Sequence, residues 1–259
     1  MNSVPESADK SSGGSDNRRV PSMEKLLLKE IRVLDRGFVR VIDYMGSDEA
    51  VVQAARVSYG RGTKKASEDR ALIRYLMRNL HTSPFEMAEL KLHVKLPIFV
   101  ARQWIRHRTA NVNEYSARYS ILDNEFYLPD LRHLAPQSKR NRQGRADELD
   151  PDEAAKALEL LRAEAERSYA AYERLLNRGV DERPIDPSRK GLARELARMA
   201  LSLNFYTQRY WKIDAHNLLH FLRLRMDEHA QYEIRAYAEV LSDVVRQWMP
   251  LTFEAFIDY

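Results

Sequence analysis

The chain has 259 residues, 44% of them apolar and 31% charged, enough for one large domain or two small ones with a real core and a wet surface. It contains no cysteine, which excludes disulfides, thiolate metal sites and any sulfur nucleophile; no apolar run reaches the roughly 18 residues of a spanning helix and the N-terminus has no apolar signal core, so a cytoplasmic protein with no membrane partner is expected. The net charge is +4, but 42 basic residues stand against 38 acidic ones, and a mixed-sign surface builds little of the field that nucleic acid responds to.

Residues 1–22 are polar, small and rich in breakers, and read as a disordered tail ahead of a domain spanning 23–259. Residues 38–44 have the composition of a strand. Residues 48–57 read as a helix with Ser47 as N-cap, followed by a loop at Gly60 and Gly62. Ser67 is placed to cap a second helix carrying Leu72, Tyr75, Leu76 and Leu80. That helix stops at His81-Thr82-Ser83-Pro84, because a residue before proline avoids the helical region. Residues 87–96 alternate apolar and polar, the pattern of a half-buried strand, and Pro97 opens a helix over 98–107. Residues 119–127 read as a returning strand and 137–150 as a mobile charged loop. A long charged helix spans 152–178, with Gly179 as its C-cap. Asp186-Pro187-Ser188 opens a helix to Leu203, Asp214 opens one to Met226, and 228–248 continues helical. Short strands early and helices late predict an α+β fold in a single domain.

Residues 106–118 read Arg-His-Arg-Thr-Ala-Asn-Val-Asn-Glu-Tyr-Ser-Ala-Arg, with Arg102, Gln103 and Trp104 just upstream. Guanidinium groups this dense repel one another unless an anion sits among them, and only Glu114 is close in sequence to neutralise them. Arginine's planar fork matches phosphate and carboxylate oxygens bidentately. The pattern therefore points to a bound multi-anion ligand such as a nucleotide, with an aromatic and amides to hold its base. The alternative is a surface helix end laced with salt bridges. No GxxxxGK[ST] or GxGxxG arrangement occurs, and Gly60-Arg61-Gly62 is a turn signal, so side chains must do the anchoring.

His216 and His220 stand four residues apart on one helical face, but the glutamate of HExxH and a third ligand are missing, so no metal is expected. Ser116 lies near His107 without a nucleophile elbow, which favours a hydroxyl that binds phosphate over one that attacks. Arg225 sits among apolar residues on a helix that otherwise looks buried, so it must be paired or meet a ligand. It projects roughly opposite His216. The helix then serves two pockets, faces a partner subunit, or carries a snorkelling arginine.

Arg106-His107-Arg108, seven residues and then Ser116 form the RHR-x7-S motif of flavin-dependent thymidylate synthases, which this chain resembles from about residue 33 to 258. The flanks Arg102-Gln103-Trp104 and 113–120 agree, as do Ala54-Ala55-Arg56-Val57-Ser58, His81-Thr82-Ser83-Pro84-Phe85-Glu86, Leu203-Asn204-Phe205-Tyr206-Thr207 and residues 224–231. The resemblance implies an α+β fold with a central mixed or antiparallel sheet and long helices, assembled as a homotetramer with active sites shared between subunits. It implies conversion of dUMP to dTMP, with FAD as cofactor and NADPH and methylenetetrahydrofolate as co-substrates. Matched to the family, Gln103, Trp104, Arg106, Glu114, Tyr115, Ser116, Ala117, Arg118, Arg198 and Arg225 would form the dUMP site, with Arg225 as the catalytic residue at the uracil. Ser58, Ser83, Glu86, Arg106, His107, Arg108, Thr109, Asn113, Glu114, Asp214, His216 and His220 would line the FAD site. Other members carry Asn, Arg and Asn where this chain has Asp214, His216 and His220, and each substitute can still hydrogen-bond. Two further readings stay open: a basic nucleic-acid-binding module using the arginines of 97–118 and Trp104, and a homologue that binds flavin without turnover.

Overall fold

Nine-residue segments with a period of two build the centre of the molecule. The computed structural model describes residues 19–57, 66–139, 144–146, 149–179 and 181–259. Strands β1 (Glu30–Val33), β2 (Gly37–Met45), β3 (Glu89–Pro97), β4 (Asn111–Glu114) and β5 (Tyr206–Asp214) form one sheet in the order β1-β2-β3-β5-β4, and every pairing between them is antiparallel. The expected alternation in β3 holds: Leu90, Leu92, Val94 and Leu96 are fully buried, while Glu89, Lys91, His93 and Lys95 lie on the other, polar face.

The helices are α1 (Pro21–Glu24), α2 (Asp48–Ala55), α3 (Ala66–Arg78), α4 (Ile98–Trp104), α5 (Pro151–Leu176), α6 (Arg194–Ala197), α7 (Ala215–Arg225), α8 (Tyr232–Trp248) and α9 (Pro250–Asp258). Among the described residues, no helix is long and apolar enough to cross a membrane. Helix α8 supplies Ile234, Tyr237, Leu241, Val244, Val245 and Trp248 to the main core beneath the sheet, and burying each aliphatic or aromatic side chain contributes about 1.5–3 kcal/mol. A second core joins Tyr169, Tyr172 and Leu176 of α5 to Ala117, Ile121, Leu122 and Phe205. Asp48 of α2 accepts from Leu251 N, Thr252 N and Thr252 Oγ1 at 2.7–2.9 Å, and so caps α9 from across the core.

The structure departs from several of these expectations. Residues 1–18 lie outside the described residues, but Pro21 and Ser22 already belong to α1, whose Met23 is fully buried, so the folded part begins before residue 22. The Gly60–Gly62 loop also lies outside the described residues. Helix α3 starts at Ala66, so Ser67 is inside it and not its cap. It ends because Leu80 turns left-handed (φ 56°) and His81 N bonds back to Leu76 O at 2.9 Å. The strand expected at 119–127 reduces to one antiparallel bridge, Phe126 with Phe205, made by Tyr127 N to Asn204 O and Tyr206 N to Glu125 O. Leu122 N bonds to Tyr172 Oη, and Ile121 and Leu122 pack on α5 instead of alternating. Asn177, not Gly179, closes α5, with φ 55° and a side chain that binds the backbone of Asp186 and Arg189. That contact, together with Gly191 at φ 76°, replaces most of the helix expected from 186 to 203; only α6 and a turn at Arg198–Ala200 remain helical. Strands β1, β4 and β5 and helix α9 were not expected.

Candidate functional site

Pro97 ends β3 and starts α4, whose last residue, Trp104, is fully buried against Trp211, Phe221 and Tyr237. That anchor stops the helix three residues before the expected His107 and throws 105–110 out as a loop, which returns along the sheet edge as β4. The arginines of the motif therefore line a loop and an edge strand. Arg106, His107, Arg108, Ala110 and Val112 wall an open cleft of about 790 Å³. Among the described residues, no ion pair involves Arg102, Arg106 or Arg108.

The end of α7 meets this loop. Arg225 Nε–H donates to His107 Nε2 at 3.0 Å, and the His107 ring lies 6.1 Å from that of His220 and 4.8 Å from that of Phe221. Burial, then the Arg225 and His220 charges, lower the His107 pKa to about 4, so the ring is neutral at physiological pH. Burial also lowers the Arg225 pKa, yet no carboxylate pairs with it among the described residues. An arginine can only donate, so His107 must accept at Nε2 and carry its proton on Nδ1.

Glu114 ends β4 and is tied to β5. Thr207 Oγ1 donates to Glu114 Oε1 at 3.1 Å, and the fully buried Arg209 places Nη1 at 3.9 Å from Oε2. The one acid expected to quieten the arginine cluster is thus already engaged from behind. Arg118 faces Glu195 at 3.4 Å, both more than half exposed, and Arg198 Nε donates to Glu195 O at 3.2 Å. Among the described residues no hydrogen bond or ion pair joins this second group to the His107–Arg225 group.

A smaller cavity of about 200 Å³ has Leu76, Phe85, Leu219 and Phe256 as apolar wall and His81, Thr82, His216, His220 and Arg223 among its lining; its His220 ring stands 6.1 Å from that of His107, which lines the cleft. Histidines 216 and 220, one helical turn apart on α7, thus open onto the same space.

Residues 40–251 match the thymidylate synthase complementing protein family. The chain belongs to that family. A flavin-dependent thymidylate synthase of Gluconobacter oxydans is 63% identical over 240 residues, which is 93% of this chain and 76% of that one. Those of Rickettsia bellii and Ehrlichia ruminantium are 60% and 59% identical, over 93% of this chain and 82% and 77% of theirs. Among solved structures, the UMP/dUMP methylase PolB of Streptomyces cacaoi, crystallised with 5-bromo-dUMP, is 34% identical with a TM-score of 0.76, over 88% of this chain and 98% of that one.

The residues expected from the thymidylate synthase motif divide by position. Arg106, Arg108, Thr109, Asn113 and Glu114 are exposed along the cleft and its edge strand, with His107 half-buried. Gln103 Nε2 donates to Gln231 Oε1, and Gln231 in turn donates to buried Glu233. Tyr115 donates to Ile121 O at 3.3 Å, and Ser116 Oγ accepts from Arg118 N at 3.3 Å. Trp104 is wholly buried and Ala117 packs in the second core, so the Trp104 indole and the Ala117 methyl face protein; only backbone contacts to a ligand remain to them. Ser83 and Glu86 are exposed on the turn Ser83–Met87, next to the smaller cavity through Phe85. The Asp214 carboxylate already caps α7, accepting from Asn217 N and Nδ2 at 2.8 Å, which leaves it less available to a flavin than His216 and His220. Ser58 lies outside the described residues. Thr207 and Gln231 lie in stretches that match the family, but no site role was expected for them, for Arg209 or for the pair Arg145–Glu233. Thr207 and Arg209 share a strand face at a spacing of two, a signal hidden because a charged residue occupies the core side.

Proposed function

We propose that the chain converts dUMP to dTMP, with methylenetetrahydrofolate as carbon donor and FAD reduced by NADPH. The observation that carries this is Arg225 held by a neutral His107 beside arginines that no carboxylate neutralises among the described residues. With Nε engaged, Arg225 keeps both Nη groups for the uracil carbonyl and ring nitrogen. A guanidinium there stabilises negative charge on the base and raises electron density at C5, the carbon that must attack the one-carbon unit. The chain has no cysteine to add to the base, and charge stabilisation asks for none.

The residues present fit a flavin. The smaller cavity offers apolar walls for a flat ring and three histidines at its rim, and Arg106 and Arg108 offer cations to a pyrophosphate. Bound FAD would supply the hydride. Arg106, Arg118 and Arg198 would grip the nucleotide phosphate, and Ser116, with no base bonded to it among the described residues, would hydrogen-bond rather than attack. A homotetramer with shared sites belongs to the same proposal. It is supported by the separation of the Arg118–Arg198 group within one chain and by the exposure of Leu192, Leu196, Met199 and Leu203 around it. A cytoplasmic location rests on the sequence alone.

Purified protein is expected to show a flavin absorption band and to form dTMP when given dUMP, methylenetetrahydrofolate and NADPH. A colourless protein that forms none would overturn the reading.

A further inference from the structure

Arg209 projects from β5 into the core with its side chain closed to solvent. Its register partners are Val94 on β3 and Glu114 on β4. The guanidinium lies over the Trp104 indole, 5.0 Å from the ring centroid. Nη1 stands 3.5 Å from Ala101 O and 3.9 Å from Glu114 Oε2, while Nε and Nη2 are buried with no hydrogen-bond partner among the described residues. Burial lowers its pKa to about 10, which leaves it charged near neutrality. A charge this deep with two idle donors is an expensive way to fill space, and a well-packed apolar side chain would do that at least as well.

What an apolar residue could not do is hold a carboxylate. Glu114 is the last residue of a four-residue edge strand that is exposed throughout, a weak platform by itself. Arg209 and Thr207 reach its two oxygens from one face of β5, at the point where the chain leaves the sheet for Tyr115, Ser116 and Arg118.

We propose that Arg209 is a positioning residue for the nucleotide: by holding the Glu114 carboxylate it aims the 114–118 segment and keeps the charge of Glu114 from neutralising the ligand-binding arginines. This rests on the nucleotide site proposed above.

The test measures equilibrium dUMP binding to the flavin-loaded protein, alongside its visible spectrum and urea midpoint. Arg209→Met is expected to weaken dUMP binding about tenfold or more with the flavin band and midpoint retained, and Arg209→Lys to recover part of the loss. In a Glu114→Gln background, Arg209→Met should add less than about a twofold change, because the two act as one unit. Unchanged dUMP binding in both Arg209 variants, or losses that simply multiply in the double variant, would overturn the inference. If Arg209→Met does not fold, Arg209→Lys and its combination with Glu114→Gln decide by the same criteria. A wild-type protein that holds flavin but binds no dUMP overturns the nucleotide reading itself, and this inference with it.

Discussion

Arg225 Nε and His107 Nε2 lie 3.0 Å apart, joining the C-terminal end of α7 to the loop after α4. The contact works only while His107 is neutral, since a protonated imidazole has no lone pair to offer and would repel the guanidinium. The His107 pKa, lowered from 6.5 to about 4 by burial and by the Arg225 and His220 charges, secures that state. A folded-state value below the unfolded one means the unfolded chain binds the extra proton. Stability is then fully present above about pH 6.5 and falls as pH drops through the interval down to about 4. Urea midpoints across that range are expected to slope in the wild type and to slope less in His107→Gln, which keeps an acceptor but does not titrate. Equal slopes would place the proton uptake elsewhere.

Under the proposed function, turnover would depend on the fork of Arg225 and not on its charge alone. A lysine can donate to His107 or to the base, but it has no planar edge to do both at once. Arg225→Lys is expected to keep the flavin band while kcat for dTMP formation falls on the order of a hundredfold, as for loss of one well-placed donor to a developing anion. Steady-state kinetics with dUMP varied would check this, and near-wild-type kcat would remove geometry from the argument.

Trp104 is expected to matter for folding more than for ligand. Its indole is fully buried within the cluster of Trp211, Phe221 and Tyr237. Trp104→Ala should cost roughly 3–5 kcal/mol in denaturant unfolding. Trp104→Phe, which preserves an aromatic face under Arg209, should cost less and leave dUMP affinity within a few-fold. A Trp104→Phe protein of normal stability that no longer binds dUMP would return the indole to the ligand site.

Local patterns carried part of this fold and long-range register carried the rest. The alternation of β3 and the caps at Ser47 and Asp214 were legible because each depends on neighbours a few residues away: Ser47 accepts from Glu49 N at 3.2 Å and Asp214 from Asn217 N at 2.8 Å. Strand β5 was hidden because Arg209 sits on its core side between Thr207 and Trp211, where an apolar residue would have completed the period of two. Residues 119–127 looked like a strand because their apolar side chains serve a core made with α5, which no local pattern reveals. The same division runs through the site. Arg106, His107 and Arg108 are contiguous and were legible, whereas the His107–Arg225 bond spans 118 positions and the Glu114–Arg209 contact exists only through the pairing of β4 with β5.

The segment at 137–150 read as a mobile charged loop; residues 140–143 and 147–148 lie outside the described residues, but Arg145 is tied to the fold. Its Nη2 meets both carboxylate oxygens of Glu233 at 2.6 and 2.7 Å, and Tyr127 and Gln231 donate to the same carboxylate at 3.2 and 2.8 Å. The Glu233 side chain is 3% exposed and that of Arg145 36%. Burial pushes the Glu233 carboxyl up, but the Arg145 hydrogen bond and charge and the Gln231 amide outweigh it, so its pKa is lowered from 4.5. For an acid with a lowered folded value, the contribution to stability is present above the unfolded pKa and is lost as pH falls through the folded one. Arg145→Met strands a buried carboxylate and is expected to cost about 3 kcal/mol, the low end for breaking a buried pair because one partner reaches solvent. Adding Glu233→Gln should recover much of that, since an amide needs no counter-charge, and should flatten the acid limb of the stability profile below about pH 4.5. Gln231 also accepts from Gln103, so a displaced Glu233 would loosen the α4 side of the cleft as well. A single variant that unfolds at the wild-type urea midpoint would mean that water can replace Arg145 at this carboxylate.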